Sequence, residues 1–255
     1  MKLEVLGCAG GEGINHRATA FLINDHLLLD AGSVANVLTL EQQVQLRYAL
    51  ISHAHLDHIK DLGFVVDNTF ALRQWPLGVY AEASVIAALK QHFFNWTIWP
   101  DFMGLSNESG PVLEMHCIDG RVELDGLVIE SIEVNHPGRA YGFVIEDRAA
   151  DCSIVVTGDT AETKDIWLKA RSLANLRAIF VDTAFPDHMA ELARVSGHFT
   201  PSGLMRQLEQ CQLLDEVVYC YHLKPAYHEA VVNDIQSIGR PNIRVLQQGQ
   251  MFNWS

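Results

Sequence analysis

Six consecutive residues, His53-Ala54-His55-Leu56-Asp57-His58, constrain this chain more than any other feature. They follow directly on Tyr48-Ala49-Leu50-Ile51-Ser52, an apolar run that reads as a short buried strand. The cluster is therefore expected on the loop leaving the strand's C-terminal end. Neutral imidazole and carboxylate are the ligands that suit a borderline-soft divalent cation such as zinc. A loop of this kind holding two metals would provide a bridging hydroxide for cleaving an ester bond.

Four other positions share one local pattern, a histidine or aspartate closing an apolar strand before a turn. Asp30 ends Leu27-Leu28-Leu29-Asp30-Ala31-Gly32, and His136 ends Ile132-Glu133-Val134-Asn135-His136-Pro137-Gly138. Asp159 ends Val155-Val156-Thr157-Gly158-Asp159-Thr160, and His222 ends Val218-Tyr219-Cys220-Tyr221-His222. Strand ends gather on one rim of a sheet, where α/β folds place their chemistry. The first half of the chain is strand-rich; helical spacing is expected over Leu62 to Gln74 and Ser84 to Phe94. In the last third, strands at 154–157, 179–182 and 217–221 alternate with helices at 162–171, 202–211 and 226–238. That order predicts a layered α/β (α+β) domain with a mixed double sheet. Residues 1–255 read as one domain, with a helical, aromatic-rich insertion around 62–102. Gly7-Cys8-Ala9-Gly10-Gly11-Glu12-Gly13 lacks the GK[ST] ending of a phosphate loop and reads as a mobile turn near the site.

The formal net charge of −13 disfavours broad contact with a nucleic-acid backbone or an anionic membrane. A small anionic substrate remains compatible, because bound divalent cations would dominate the local field. The five cysteines are scattered and without a CxxC pair, which points to a reducing compartment. The N-terminal residues show no signal-peptide layout, and no apolar run approaches the roughly 20 residues of a membrane span. A cytoplasmic enzyme is the expectation.

Asp30, the HxHxDH stretch, His136, Asp159 and His222, in that order, resemble the metallo-β-lactamase superfamily across nearly the whole chain. The resemblance implies a four-layer αββα sandwich. It implies one metal on His53, His55 and His136, a second on Asp57, His58 and His222, and Asp159 bridging both. Asp30 would orient ligands from behind. The implied cofactor is a pair of divalent ions, zinc by ligand type, with manganese or iron as alternatives.

Two later segments narrow the branch. Phe180-Val181-Asp182-Thr183-Ala184-Phe185-Pro186 and Ser196-Gly197-His198-Phe199-Thr200-Pro201 resemble the phosphodiesterase branch, ribonuclease Z and the class II cyclic-nucleotide phosphodiesterases. The resemblance implies that Asp182, standing where ribonuclease Z has glutamate, holds His198, and that His198 helps expel the leaving group. Asp57 would orient or deprotonate the nucleophile. The block His55-Leu56-Asp57-His58-Ile59-Lys60-Asp61-Leu62-Gly63 looks like the class II pattern, and no basic arm for gripping tRNA is present. The expected activity is hydrolysis of 3′,5′-cyclic nucleotides to 5′-monophosphates. The alternatives are ribonuclease Z-like or other phosphodiester, aryl sulfate or glutathione thioester hydrolysis, and, from another class, a non-catalytic metal-binding or sensor protein. Trp96, Trp99 and Phe102 are read as base-stacking residues or as core or homodimer contacts.

Overall fold

The computed structural model describes residues 1–254. The first half runs β1 (Lys2–Gly7), β2 (Ala20–Ile23), β3 (Leu27–Leu29), α1 (Leu40–Gln45), β4 (Tyr48–Leu50), α2 (Leu56–Thr69), β5 (Leu77–Ala81) and α3 (Ala83–Ala88). A hairpin, β6 (Ser106–Asn107) and β7 (Gly110–Pro111), and β8 (Leu113–Cys117) follow. The second half runs β9 (Arg121–Leu124), β10 (Leu127–Val134), β11 (Ala140–Asp147), β12 (Cys152–Val156), α4 (Asp165–Ser172) and β13 (Leu176–Asp182). It ends with α5 (Ala190–Ser196), α6 (Pro201–Gln210), β14 (Val218–Tyr221), α7 (His228–Ser237), β15 (Ile243–Val245) and β16 (Met251–Asn253).

The strands form two seven-stranded sheets, ordered β16-β1-β2-β3-β4-β5-β8 and β15-β14-β13-β12-β11-β10-β9. Each is antiparallel in one half and parallel in the other. Period-two alternation assigns the faces. Phe180, Tyr219 and Tyr221 point into the core between the sheets. Their neighbours Ile179, Val181, Val218 and Cys220 pack with residues of α4, α6 and α7 in a second core on the outer face. Apolar residues of α2 and α3, including Ile59, Leu62, Val65 and Ile86, join the first core. The result is the expected helix–sheet–sheet–helix layering. Among the described residues no helix is long and apolar enough to cross a membrane.

Two expectations need correction. First, α2 starts at Leu56, so only His53 and His55 lie on the loop, while Asp57 and His58 sit in the helix's first turn. The apolar spacing that marks the helix extends back to His58 and Ile59, both buried, and an aspartate in the first turn suits the positive end of the helix dipole. Second, the stretch 62–102 is not simply a helical insertion. It contains β5, which pairs in parallel with both β4 and β8 and is an inner strand of the first sheet.

The topology brings the chemistry to one rim. Asp30, His53, Asp159 and His222 directly follow or lie within three residues of β3, β4, β12 and β14, strands whose C-terminal ends face the same way within their parallel sheet halves. β10 lies two antiparallel steps from β12, so its C-terminal end, and with it His136, reaches the same rim.

Candidate metal centre

Asp30 fixes two histidines at once. Its carboxylate accepts hydrogen bonds from the Ser52 backbone N–H (2.8 Å), the Ser52 hydroxyl (2.8 Å) and Nδ1–H of His58 (2.7 Å). With the Ser52 proton committed to Asp30, the Ser52 oxygen is left to accept from Nδ1–H of His53 at 3.0 Å. Two further ligand candidates repeat the arrangement. Nδ1–H of His136 donates to the Gly197 carbonyl (2.9 Å). Nδ1–H of His222 donates to the Thr19 hydroxyl (3.1 Å). A proton held on Nδ1 leaves the Nε2 lone pair free to bind a cation.

Those Nε2 atoms converge. His222, His58 and His53 lie 3.1, 3.4 and 3.7 Å from Oδ2 of Asp159, and His222 lies 3.8 Å from Oδ2 of Asp57. Nε2 of His136 faces Nδ1 of His55 at 3.2 Å. Nε2 of His53, Nε2 of His58 and Oδ1 of Asp159 are buried without any hydrogen-bond partner. Orphaned buried polar atoms are costly, and here they share one point of aim. Residues within mutual ligand reach are His53, His55 and His136; His53, His58 and Asp159; Asp57, His58 and His222; and His136, Asp159 and His198. The donor set of imidazole nitrogens and carboxylate oxygens fits divalent cations of the zinc type.

The electrostatics agree. Burial, with His58 adding to it, pulls His53 well below the usual imidazole pKa, and burial does the same to His222. Burial works against a charge on His58, yet Asp159 and Asp30 at its two nitrogens hold its pKa well above the usual value. Burial likewise opposes charge on Asp159, but His222 and His58 hold its carboxyl well below the carboxylate range. The centre therefore attracts positive charge, and a bound cation satisfies that field in place of a proton.

Backbone geometry marks the same residues. Asp30 (φ 56°) and His222 (φ 63°) are both left-handed, a conformation that costs a non-glycine residue on the order of 1–3 kcal/mol. At Gly10 a Cβ would stand 2.4 Å from the His222 carbonyl and 2.9 Å from its Nε2, so only glycine leaves room for that ring. The glycine-rich loop is also pinned. Its Ala9 and Gly10 amides donate to Arg17 and Leu223, and Glu12 takes Ser33 Oγ and Lys60 Nζ at 3.0 and 2.9 Å. It packs against the site as a hydrogen-bonded turn rather than the mobile turn expected.

Asp182 and His198 meet beside this cluster. Asp182 is the last residue of β13. Gly197, left-handed at φ 76°, closes α5, while Thr200 caps α6 and Pro201 opens it, so His198 sits on a short connection fixed at both ends. Nδ1–H of His198 donates to Oδ2 of Asp182 at 2.7 Å, so the shorter aspartate reaches its partner. Burial favours the neutral ring, but the adjacent carboxylate outweighs it and the pKa of His198 is raised. Its ring is 4.9 Å from that of His136 and 5.5 Å from that of His222.

The aromatic stretch behaves differently from one residue to the next. Phe102 is buried against Phe70 and Phe94, which removes it from any base-stacking role. Trp99 lies against Gly63, where a Cβ would fall 2.8 Å from the indole, and edge-on to Phe64. Of the three only Trp96 is largely exposed. The sequence reading did not single out Ser52 or the Gly197 carbonyl. Ser52 stands next to His53, but a serine at a strand end carries no signal of its own.

A family model described as "Beta-lactamase superfamily domain" matches residues 27–223. A probable 3′,5′-cyclic-nucleotide phosphodiesterase of Yersinia pestis is 23% identical over 227 residues, covering 78% of this chain and 62% of its own length. A 3′,5′-cyclic-nucleotide phosphodiesterase of Aliivibrio fischeri is 25% identical over 249 residues, covering 80% and 73%. The chain thus spans less than two thirds of the Yersinia protein. Among solved structures, unliganded yeast PDE1 superposes with a TM-score of 0.80 at 16% identity, covering 98% of each chain, a likeness of fold.

Proposed function

The chain belongs to the beta-lactamase superfamily, and on that footing we propose that it is a dinuclear metal-dependent phosphodiesterase that opens 3′,5′-cyclic nucleotides to 5′-monophosphates. The observation that carries the proposal is the convergence of Nδ1-anchored histidines on Asp159, with the His198–Asp182 pair on the same rim. The names of the Yersinia and Aliivibrio relatives support the substrate class. The net charge of −13 favours a small anionic substrate over an RNA.

In this reading His53, His55 and His136 would hold one cation, Asp57, His58 and His222 the other, and Asp159 would serve both. Zinc is the proposed metal. Bound there, the two ions would supply Lewis acidity toward the phosphoryl oxygens and hydroxide at neutral pH. The protein's own residues do the rest. Asp57, half-buried and in the first turn of α2, orients the attacking water and accepts its proton. The new oxygen–phosphorus bond forms opposite O3′, the phosphorus–O3′ bond breaks, and O3′ takes a proton. His198 supplies that proton, and Asp182 keeps its Nδ1 occupied so that Nε2 faces the leaving oxygen.

The test is metal analysis of the purified protein coupled to hydrolysis of cyclic AMP, cyclic GMP, a bis-aryl phosphate, an aryl sulfate and a glutathione thioester. The proposal expects two ions per chain and turnover of the phosphodiesters alone. Two bound ions with turnover only of the sulfate or the thioester would move the protein to another hydrolase class.

A further inference from the structure

Lys224 carries a charge that the chemistry above leaves without a task. Its Nζ lies 3.3 Å from Nε2 of His222, the nitrogen that faces Asp159 and Asp57. Among the described residues no carboxylate lies within 4.0 Å of this ammonium. Lys2, Lys60 and Lys169, by contrast, each sit on an aspartate or glutamate. A lysine in a chain with 31 acidic and 18 basic residues has many alternatives, yet this one turns into the site.

Its backbone is held by hydrogen bonds on both sides. The Lys224 N–H donates to the Ala184 carbonyl (3.1 Å), the Lys224 carbonyl accepts from Tyr227 N–H (2.9 Å), and Pro225 follows. Four methylenes then carry the charge from that anchor. The ring that the ammonium faces, His222, stacks at 5.5 Å on that of His198, which places the charge on the leaving-group side. The Nε2 lone pair of His222 that Lys224 now faces is the one a cation would bind, and the ammonium would then be repelled from it. With its backbone pinned, a side chain released from His222 would stay within reach of the rim beside His198.

We propose that Lys224 grips a non-bridging oxygen of the substrate phosphodiester, beside the His198 end of the cleft. The inference rests on the phosphodiesterase reading above. Lysine binds phosphate as a compact point charge, so the contact favours an anionic ester over a neutral one of similar shape. It gives an acidic protein a local means of holding an anion as charge builds on the phosphoryl group.

The experiment compares the zinc-loaded protein with its K224M and K224R variants. Calorimetry measures binding of inorganic phosphate. Kinetics measure the ratio of kcat/KM for bis(4-nitrophenyl) phosphate, an anion, to that for diethyl 4-nitrophenyl phosphate, which is neutral. K224M is expected to weaken phosphate binding at least about 10-fold and to lower the ratio about 10²-fold, with K224R restoring part of both and metal content unchanged. Wild-type phosphate affinity in K224M, or loss of bound zinc in that variant, would overturn the assignment. Should the wild-type protein cleave no phosphodiester, the phosphodiesterase reading fails, and the phosphate-binding comparison alone still decides whether Lys224 is an anion contact.

Discussion

At the scale of single residues, the centre is organised by where protons are held. Asp30 accepts three hydrogen bonds and through them sets His58 directly and His53 through Ser52. Replacing Asp30 with alanine is expected to cut zinc affinity about 10–100-fold, measured by competition with a chelating dye; unchanged affinity would mean the histidines need no such support. Replacing His198 with alanine is expected to leave two metals per chain and lower turnover about 10²–10⁴-fold. A variant with wild-type turnover would take His198 out of the mechanism. The positions of Asp30, His53, His136, Asp159 and His222 were legible in the sequence because each closes an apolar run. Ser52, Thr19 and the Gly197 carbonyl were not. A hydroxyl or carbonyl becomes a ligand's partner only through contacts between distant segments, as Thr19 and His222 illustrate.

At the scale of elements, the sequence marked the long buried strands and the amphipathic helices and blurred the edges. β10 and β12 to β14 were legible from their apolar runs. β9, β15 and β16 were not, since each is short, has at most one buried residue and so lacks a clean apolar face. The start of α2 was misplaced because its first turn carries two candidate ligands, which read as loop. Arg73 was also invisible. It is 1% exposed and donates to the Thr69 hydroxyl and to the Leu46 and Gln43 carbonyls, so it ties the end of α1 to the end of α2. Burial pulls its pKa down to about 10. Arg73→Met strips the buried Leu46 carbonyl of its guanidinium donor, leaves that of Gln43 with the Leu46 N–H alone, and is expected to cost about 2–4 kcal/mol in urea unfolding. A cost below about 0.5 kcal/mol would show that water or a neighbour replaces the guanidinium.

At the scale of the whole molecule, the two sheets contribute jointly to one rim. Asp30, His53, His55, Asp57 and His58 come from the first, and His136, Asp159, Asp182 and His222 from the second. The metals would therefore join the two halves of the fold, and binding them should stabilise the whole. At free zinc 100 times the dissociation constant the gain is about 2.7 kcal/mol, or about 5–10 °C in Tm for a chain of this size. Calorimetric scans with zinc and with excess chelator measure it, and coincident melting curves would argue against a metal bound at this rim. The most direct test of the central claim is phosphorus NMR of 3′,5′-cyclic AMP incubated with the zinc-loaded protein. The account predicts chelator-sensitive conversion to 5′-AMP alone. A protein that binds two zinc ions and leaves cyclic AMP intact, or releases 3′-AMP, would contradict it.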